Sequence, residues 1–402
     1  MARGREWARH RPRRATRTPR TTAALLPALR SATLAAVLAG TALDPSAARA
    51  KEPPPLPWTH ATIHAAAFVS AVVPARLDRD TLPDLAAADY GANRVVVFLN
   101  RGARAVEEAA SYPVGFAPQD LRAGDVNEDG FADLVVANEG SSSLSLLLGD
   151  GAGDFAPAVE IHCASGANAV ALADFDRDGH LDVAVAGLLR RLYLVLRGDG
   201  RGAFGRPDSL PAAVAPLALA AADLDRDSFP DLVAADHLWN TVSVHRSRAN
   251  GGFHSREDHV VGARPSGLAV ADLDGDGAED AVTTCMTAHQ LWIVYGQRGR
   301  GYRSRRSVSA GVRPVDAAVA DFDRDRRPDI AVSLEGERAV ALYGGKGSRK
   351  FRRIGKIALG EEPRALDAAD LDGDGRPDLI VACPRARRLL ILWNDGVGEP
   401  AR

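Results

Sequence analysis

"DVNEDGFAD" runs from Asp125 to Asp133, with a carboxylate or carboxamide at its first, third, fifth and ninth positions and a glycine at its sixth. The same nine-residue frame opens again at Asp174, Asp223, Asp272, Asp321 and Asp370, each 49 residues after the one before. One step earlier lies "RLDRDTLPD", a degraded copy led by Arg76. Seven copies at an unvarying period mark a repeat architecture, and that reading takes precedence over any local motif.

Other residues keep the same step. Phe155, Phe204, Phe253, Tyr302 and Phe351 are 49 apart, and Pro118, Pro216, Pro265, Pro314 and Pro363 each stand seven residues before a loop. Within a unit the pattern is β. A run of small residues such as "NAVALA" (168–173) precedes the loop, and an apolar run such as "DLVVAN" (133–138) follows it. A polar turn leads to a third run such as "LWIVYG" (291–296), and a Gly-rich turn leads to a fourth, more polar one. Four short strands in about 49 residues match one propeller blade. The expected fold is all-β: a seven-bladed β-propeller of four-stranded blades over residues 56–402. After the loop at Asp370 the chain has room for a second and a third strand only. One step before Val106 lies Pro57, in "PWTHATIHA" (57–65). Residues 56–66 are therefore expected to supply the outer strand of the last blade, closing the ring and removing its open edges.

The chain has 402 residues, 46% hydrophobic, 25% charged and only 5% aromatic, an ordinary globular composition whose apolar part is Ala, Val and Leu. Residues 1–50 differ. Nine arginines within the first 30 residues, an apolar run from Ser31 to Leu43 and the ending Ala48-Arg49-Ala50 read as a secretory signal peptide, too short to span a membrane. Residues 51–55 form a short linker. The expected location is secreted, periplasmic or cell-surface after cleavage, with no integral membrane segment in the mature chain. Removing the ten arginines and two acids of residues 1–50 takes the formal charge from −2 to −10. A nucleic-acid partner is therefore not expected, and the mature chain is expected to be a monomer. Three cysteines, Cys163, Cys285 and Cys383, exclude a complete disulfide framework and read as small buried hydrophobes.

So many acids in so few residues repel one another unless a cation neutralises them. Carboxylates at positions 1, 3, 5 and 9, with a backbone carbonyl at position 7, suit a hard cation with oxygen ligands. Calcium tolerates that number and irregularity better than magnesium. The candidate ligands are Asp125, Asn127, Asp129 and Asp133; Asp174, Asp176, Asp178 and Asp182; Asp223, Asp225, Asp227 and Asp231; Asp272, Asp274, Asp276 and Asp280; Asp321, Asp323, Asp325 and Asp329; and Asp370, Asp372, Asp374 and Asp378. Up to six Ca2+ sites are expected. Four are strong, opened by Asp125, Asp174, Asp272 and Asp370. In the other two, Ser228 and Arg326 replace the glycine that permits a positive φ. The loops are not EF-hands, since position 12 holds Val136, Val185, Ala234, Thr283, Val332 and Val381 where that motif needs an acid. The Arg76 copy is expected to be metal-free, its guanidinium lying among Asp78, Asp80 and Asp84.

"DVNEDGFADLVVAN", "DFDRDGHLDVAVAG" and "DLDGDGRPDLIVAC" resemble the FG-GAP/VCBS-type repeats of bacterial secreted propellers, to which the N-terminal propeller of integrin α-subunits carries a related loop. The resemblance covers nearly all of residues 55–402 and implies a calcium-binding propeller. It departs from the integrin version in that no FG and GAP pair flanks the loops.

No H-E-x-x-H, G-x-S-x-G or Cys/His zinc spacing occurs. Propeller geometry places any ligand on the face opposite the acid loops, where second-to-third strand turns meet the starts of the inner strands. His237, Trp239, His289, Arg385 and Arg387 are the main candidates there, with Tyr90, Asn93, Glu335 and Arg338 beside them. Asp120, Asp316 and Asp367 are candidates for the channel wall. The favoured function is a non-catalytic binding or adhesion module for a polysaccharide or an extracellular protein. The alternative is a polysaccharide-active, lyase-like enzyme on the same scaffold, with His237, His289 and Arg387 supplying the base and the neutralising charge.

Overall fold

In a computed structural model of the chain, residues 58–63, 68–163, 166–188, 191–302 and 304–396 are described. The expected signal peptide, the linker and residues 56–57 and 64–66 of the closing segment lie outside them. The described chain folds into seven four-stranded antiparallel sheets. In the first blade the strands are Val69–Ala75, Asp84–Asp89, Arg94–Asn100 and Val106–Pro113, taken from the axis outward. The next five blades repeat this order at the sequence period, over 118–162, 167–211, 216–260, 265–309 and 314–358. Pro118, Pro216, Pro265 and Pro314 each take the first place of an inner strand, where the missing N–H breaks no ladder bond.

The seventh blade is assembled from both ends. Leu366–Ala369, Asp378–Cys383 and Arg388–Asn394 supply its three inner strands, and Trp58–Ile63 supplies the outer one. Trp58 lies opposite Asn394 and Ile63 opposite Leu389, antiparallel throughout, as the interrupted last repeat leads one to expect. Each innermost strand packs beside the next, and the first beside the seventh, so the ring is closed.

The core is divided among the seven blade interfaces, one apolar cluster to each. Val69 and Phe98 of the first blade meet Ile380, Leu389 and Trp393 of the seventh. Alanine on the inner strands lets neighbouring sheets approach closely. The aromatic series fills the gaps that remain. Phe155, Phe253 and Tyr302, each near the outer edge of its own blade, plug back into the interface with the preceding one. Cys285 and Cys383 are fully buried in such interfaces, where burial pushes both thiols up to about 12, and Cys163 packs partly against another. No helix among the described residues is long and apolar enough to cross a membrane.

Removing everything before Phe68 would strip Trp58–Ile63 from the seventh blade and uncover the edge formed by Arg388–Asn394. A truncation at that point is expected to lower the melting temperature and to raise the fraction running as aggregates in size-exclusion chromatography. Melting and elution identical to those of the longer chain would show that the seventh blade does not depend on its N-terminal strand.

Candidate metal loops and binding face

The ninth aspartate of every loop is buried and fixed by backbone. One oxygen of Asp133 accepts the N–H of Val126, at the second loop position, over 2.9 Å, and the other accepts Gly149 N–H, just past the third strand, over 2.8 Å. The same pair of bonds recurs at Asp84, Asp182, Asp231, Asp280, Asp329 and Asp378, with lengths from 2.8 to 3.3 Å. This carboxylate therefore clasps the loop to the sheet in all seven blades, the degraded one included. Burial pushes Asp280 and Asp378 up to about 7 and Asp329 up to about 6, while the amides pull the other way.

The other acids wind the turn. The first aspartate accepts from the amides of positions 5 and 6, as Asp125 does from Asp129 and Gly130. The fifth accepts from position 7, as Asp129 does from Phe131. In the six loops from Asp125 onward, two residues each adopt the left-handed conformation. Position 6 is expected to do so, and does, with φ of 88° at Gly130 and 97° at Gly179. A Cβ added at either glycine would meet nothing within 4 Å, so φ alone selects glycine there. Ser228 and Arg326 hold the same conformation at 72° and 66°. Position 4 is left-handed too, at Glu128, Arg177, Arg226 and Arg324, which sequence reasoning misses.

Carboxylate oxygens of Asp223, Asp225 and Asp227 lie within 4.8 Å of one another, and so do those of the matching triads led by Asp272, Asp321 and Asp370. In the loop at Asp174 the set is Asp174, Asp176 and Asp182. In the loop at Asp125 the third place belongs to Asn127, whose amide donates to Asp129. The fit to a cation rests on three buried oxygens that no donor reaches: Oδ1 of Asp176, Asp225 and Asp321. A buried carboxylate oxygen without a donor is costly, and a metal ion is the partner such a donor set accommodates. The Arg76 copy is built differently. Neither Arg79 nor Thr81 is left-handed, and the cation beside its acids is Arg101, 3.7 Å from Asp78, rather than Arg76.

Side chains also string the loops together. Arg79 lies over the Phe131 ring of the next loop at 5.0 Å and Arg177 over Phe229 at 5.3 Å, while Glu128 contacts His180 and Arg226 donates to the carbonyl of Asp276. In each pair the fourth residue of one loop reaches the fifth to seventh of the next. Glu128 holds the His180 imidazole above its ordinary value. Besides the Arg76 copy with its Arg101, four loops hold an arginine close to an acid. Arg197 and Arg246 reach Asp176 and Asp225 of their own blades at 3.6 and 3.4 Å. Arg104 and Arg349 reach Asp372 and Asp274 of the preceding blade.

The FG-GAP-like repeat pattern matches residues 76–136, 125–185, 223–283, 272–332 and 321–381, each window opening on the first residue of a loop. The chain belongs to the FG-GAP-like repeat family. Among solved structures, this FG-GAP-like propeller is similar to BBS1N in complex with ARL6DN, with a TM-score of 0.61 at 14% identity over 85% of this chain and 98% of that one. It is similar to a streptogramin B lyase, with a TM-score of 0.58 at 12% identity over 84% and 97%. It is also similar to an Agrocybe aegerita lectin that recognises non-reducing terminal N-acetylglucosamine, with a TM-score of 0.52 at 17% identity over 75% and 81%. At such identities the likeness is one of fold. No curated protein matches the sequence.

On the opposite face of the FG-GAP-like ring, several of the sequence candidates hold blades together. His289 Nδ1 accepts the N–H of Arg313 on the next blade over 3.0 Å. Asn93, Ser142 and Asn240, at the same register, accept from Ala117, Gly166 and Arg264. His237 contacts the Pro265 carbonyl at 3.0 Å, and burial lowers its pKa. Arg385 pairs with Glu362, and Arg338 lies 3.7 Å from the same acid. His237, His289 and Arg387 belong to the fourth, fifth and seventh blades, and no contact joins them. Trp239 stays 44% exposed, with Arg256 over its ring at 4.7 Å. Sequence reasoning misses the apolar exposure around it. Of the eight large apolar side chains exposed among the described residues, six (Phe68, Tyr90, Phe116, Leu238, Trp239 and Val312) sit in the turns of this face.

Asp120, Asp316 and Asp367 line a central cavity of about 610 Å³ with Arg122. Asp120 and Asp316 are also structural, each accepting an amide of the next blade's inner strand over 3.0 Å, from Val170 and Leu366. Asp120 pairs with Arg122 at 2.7 Å. Burial pushes Asp316 up to about 7 and Asp367 up to about 6.

Two outcomes follow from this geometry. Asp280→Ala removes the acceptor of two buried amides, at about 1–3 kcal/mol each, so a loss of about 2–6 kcal/mol is expected in denaturant unfolding even in chelator; a loss under about 1 kcal/mol would refute the clasp. The raised carboxyls of the channel bind protons more tightly in the folded chain than in the unfolded one. Their contribution to stability is thus full below about 3.8 and is lost as pH rises towards about 7. Asp316→Asn is expected to flatten the fall in melting temperature across that window. An unchanged pH profile would contradict the assignment.

Proposed function

We propose that the mature chain is a secreted, calcium-stabilised FG-GAP-like propeller that acts as a non-catalytic binding module and presents the face opposite its acid loops to an extracellular partner. The donor-less oxygens of Asp176, Asp225 and Asp321 support the calcium part. The acids of positions 1, 3 and 5, or in the loop at Asp174 those of positions 1, 3 and 9, would hold the ion, which supplies counter-charge to the loop and no chemistry. The exposed apolar side chains of the far face carry the binding part. They stand on the first, second, fourth and sixth blades but on one face, Phe68 against Tyr90 and Leu238 beside Trp239, and apolar side chains gathered on one face are what a partner would cover. Phe116, 63% exposed, and the aliphatic Leu238 and Val312 suit a protein surface better than a sugar. Polysaccharide remains the second ligand class, through stacking on Trp239. The lyase-like alternative needs a base and a neutralising group at one point. Its three candidates are spread over three blades, two of them bonded to backbone.

With calcium about tenfold above Kd, each occupied loop adds about 1.4 kcal/mol, so melting in millimolar calcium should exceed melting in chelator by several degrees. Equal melting temperatures would end the calcium reading. For the binding face, arrays of purified extracellular proteins and glycans are probed with wild type and with a Phe116→Ser/Leu238→Ser variant of unchanged melting temperature. Binding weakened at least tenfold in the variant is expected. Full binding by the variant would move the site elsewhere, and release of an unsaturated uronate product would restore the enzyme reading.

A further inference from the structure

Arg104 and Arg349 stand at the same place in two different blades, each two residues before the outer strand. In the second, third and fourth blades that place is glycine, at Gly153, Gly202 and Gly251, with φ of 87°, 78° and 77°. The arginines take up the same left-handed conformation, φ 62° and 61°, where any side chain is strained. The position lies over the loop of the preceding blade: Gly153 donates to the Leu77 carbonyl, Gly202 to that of Val126, and a Cβ on Gly251 would lie 2.9 Å from the Asp176 Cβ. The fifth blade has Arg300 there, but its turn is shaped otherwise, with Gly299 donating to Asp225.

Each of the two arginines meets the third-position acid of the preceding loop and lies over an aromatic ring at one register position, while its second acid differs: Asp395, beyond the loop, for Arg104 and Asp276, within it, for Arg349. Arg104 donates to Asp372 over 2.8 Å and to Asp395 over 2.7 Å, with Trp393 beneath it at 5.2 Å. Arg349 donates to Asp274 and lies 3.9 Å from Asp276, with Tyr295 beneath it at 4.4 Å. Trp393 and Tyr295 share one register position, and in the third and fourth blades that position is Arg197 and Arg246, the arginines that approach their own loops. The hairpins that carry Arg104 and Arg349 are also alike and unlike those of the second to fourth blades. Their outer strands are eight residues long, with bulges at Val97/Phe98 and Leu342/Tyr343. Among the described residues, the loops at Asp174, Asp223 and Asp321 hold one donor-less buried oxygen each, whereas those at Asp272 and Asp370 hold none; the loop at Asp125 also holds none, and there the amide of Asn127 donates to Asp129.

We propose that Arg104 and Arg349 are resident counter-ions, delivered in trans by one blade to the acid loop of the preceding one, so that the loops at Asp370 and Asp272 stay wound without metal and bind it more weakly than loops lacking such an arginine. The comparison with calcium rests on the reading above; the arginine's own role does not. The test uses the full chain. Arg349→Gly and Arg104→Gly relieve backbone strain, which alone would raise the melting temperature, so a fall of a few degrees in chelator reports the lost charge. The fall should shrink when Asp274→Asn or Asp372→Asn is already present, and Arg349→Lys should keep most of the wild-type value. By equilibrium dialysis with calcium, each glycine variant should bind one ion more than wild type at the same free concentration, and calcium should recover its melting temperature. Unchanged melting in chelator for both glycine variants would overturn the proposal, as would a lysine variant that falls as far as glycine. If the chelator results hold but no form of the chain binds calcium, the calcium reading fails and the counter-ion role stands.

Discussion

A carboxylate with no access to water, holding one amide from its own loop and one from the end of the third strand, is the constraint on which the loops depend. The carboxylate stands at the start of the second strand and the second amide at the end of the third, so both are placed by the sheet, and the loop amide is drawn to them. The loop therefore inherits its position from the ladder, and the acids at positions 1, 3 and 5 gather in the same way in the four copies led by Asp223, Asp272, Asp321 and Asp370. The Arg76 copy separates the two roles within the nonapeptide. It has lost its leading acid and its left-handed residues, yet Asp84 still accepts from Leu77 and Asn100. The clasp thus answers to the sheet, and the remaining acids answer to charge.

The fold was legible because the period never varies: an unbroken step of 49 residues leaves each unit one geometry, and the truncated last unit calls for a strand from the other end. The site was legible only in part. Spacing shows which residues crowd together but not which bonds they make, so Asp133 and its counterparts read as ligands without showing their hold on backbone. Position 4 is left-handed at Glu128, Arg177, Arg226 and Arg324, residue types with no leaning that way, because the turn imposes it. The arginines of neighbouring blades were hidden because each meets an acid of another repeat, Arg349 that of the blade before it and Arg104 that of the last blade, through ring closure. His289 looked chemical in isolation. Its place in the series Asn93, Ser142 and Asn240, all acceptors at one register, was the available sign that it caps a turn.

Divergence among the blades is concentrated where charge has to be balanced. The apolar interfaces vary little in kind, since each must fill the same gap between twisted sheets with small aliphatic side chains and one or more aromatic rings. The loops differ in how the negative charge is met: by an arginine of the same blade, by one from the next, by both as at Asp370, or by neither. A single nine-residue frame thus supports several electrostatic solutions without disturbing the ladder that carries it.

The pairing of Trp58–Ile63 with Arg388–Asn394 also bears on the order in which the molecule can form. Within the first six blades every strand pairs with a near neighbour in sequence, contacts that need only short loops to close and so form quickly. The seventh sheet joins the two ends of the described chain and must bring together its most distant segments against the largest loop entropy. A nascent chain lacking its last repeat can raise successive blades but not a ring, and its first strand waits unpaired until the last has been made. Cooperativity of the whole molecule is thereby deferred to one late event, after which no blade can be peeled away from an end.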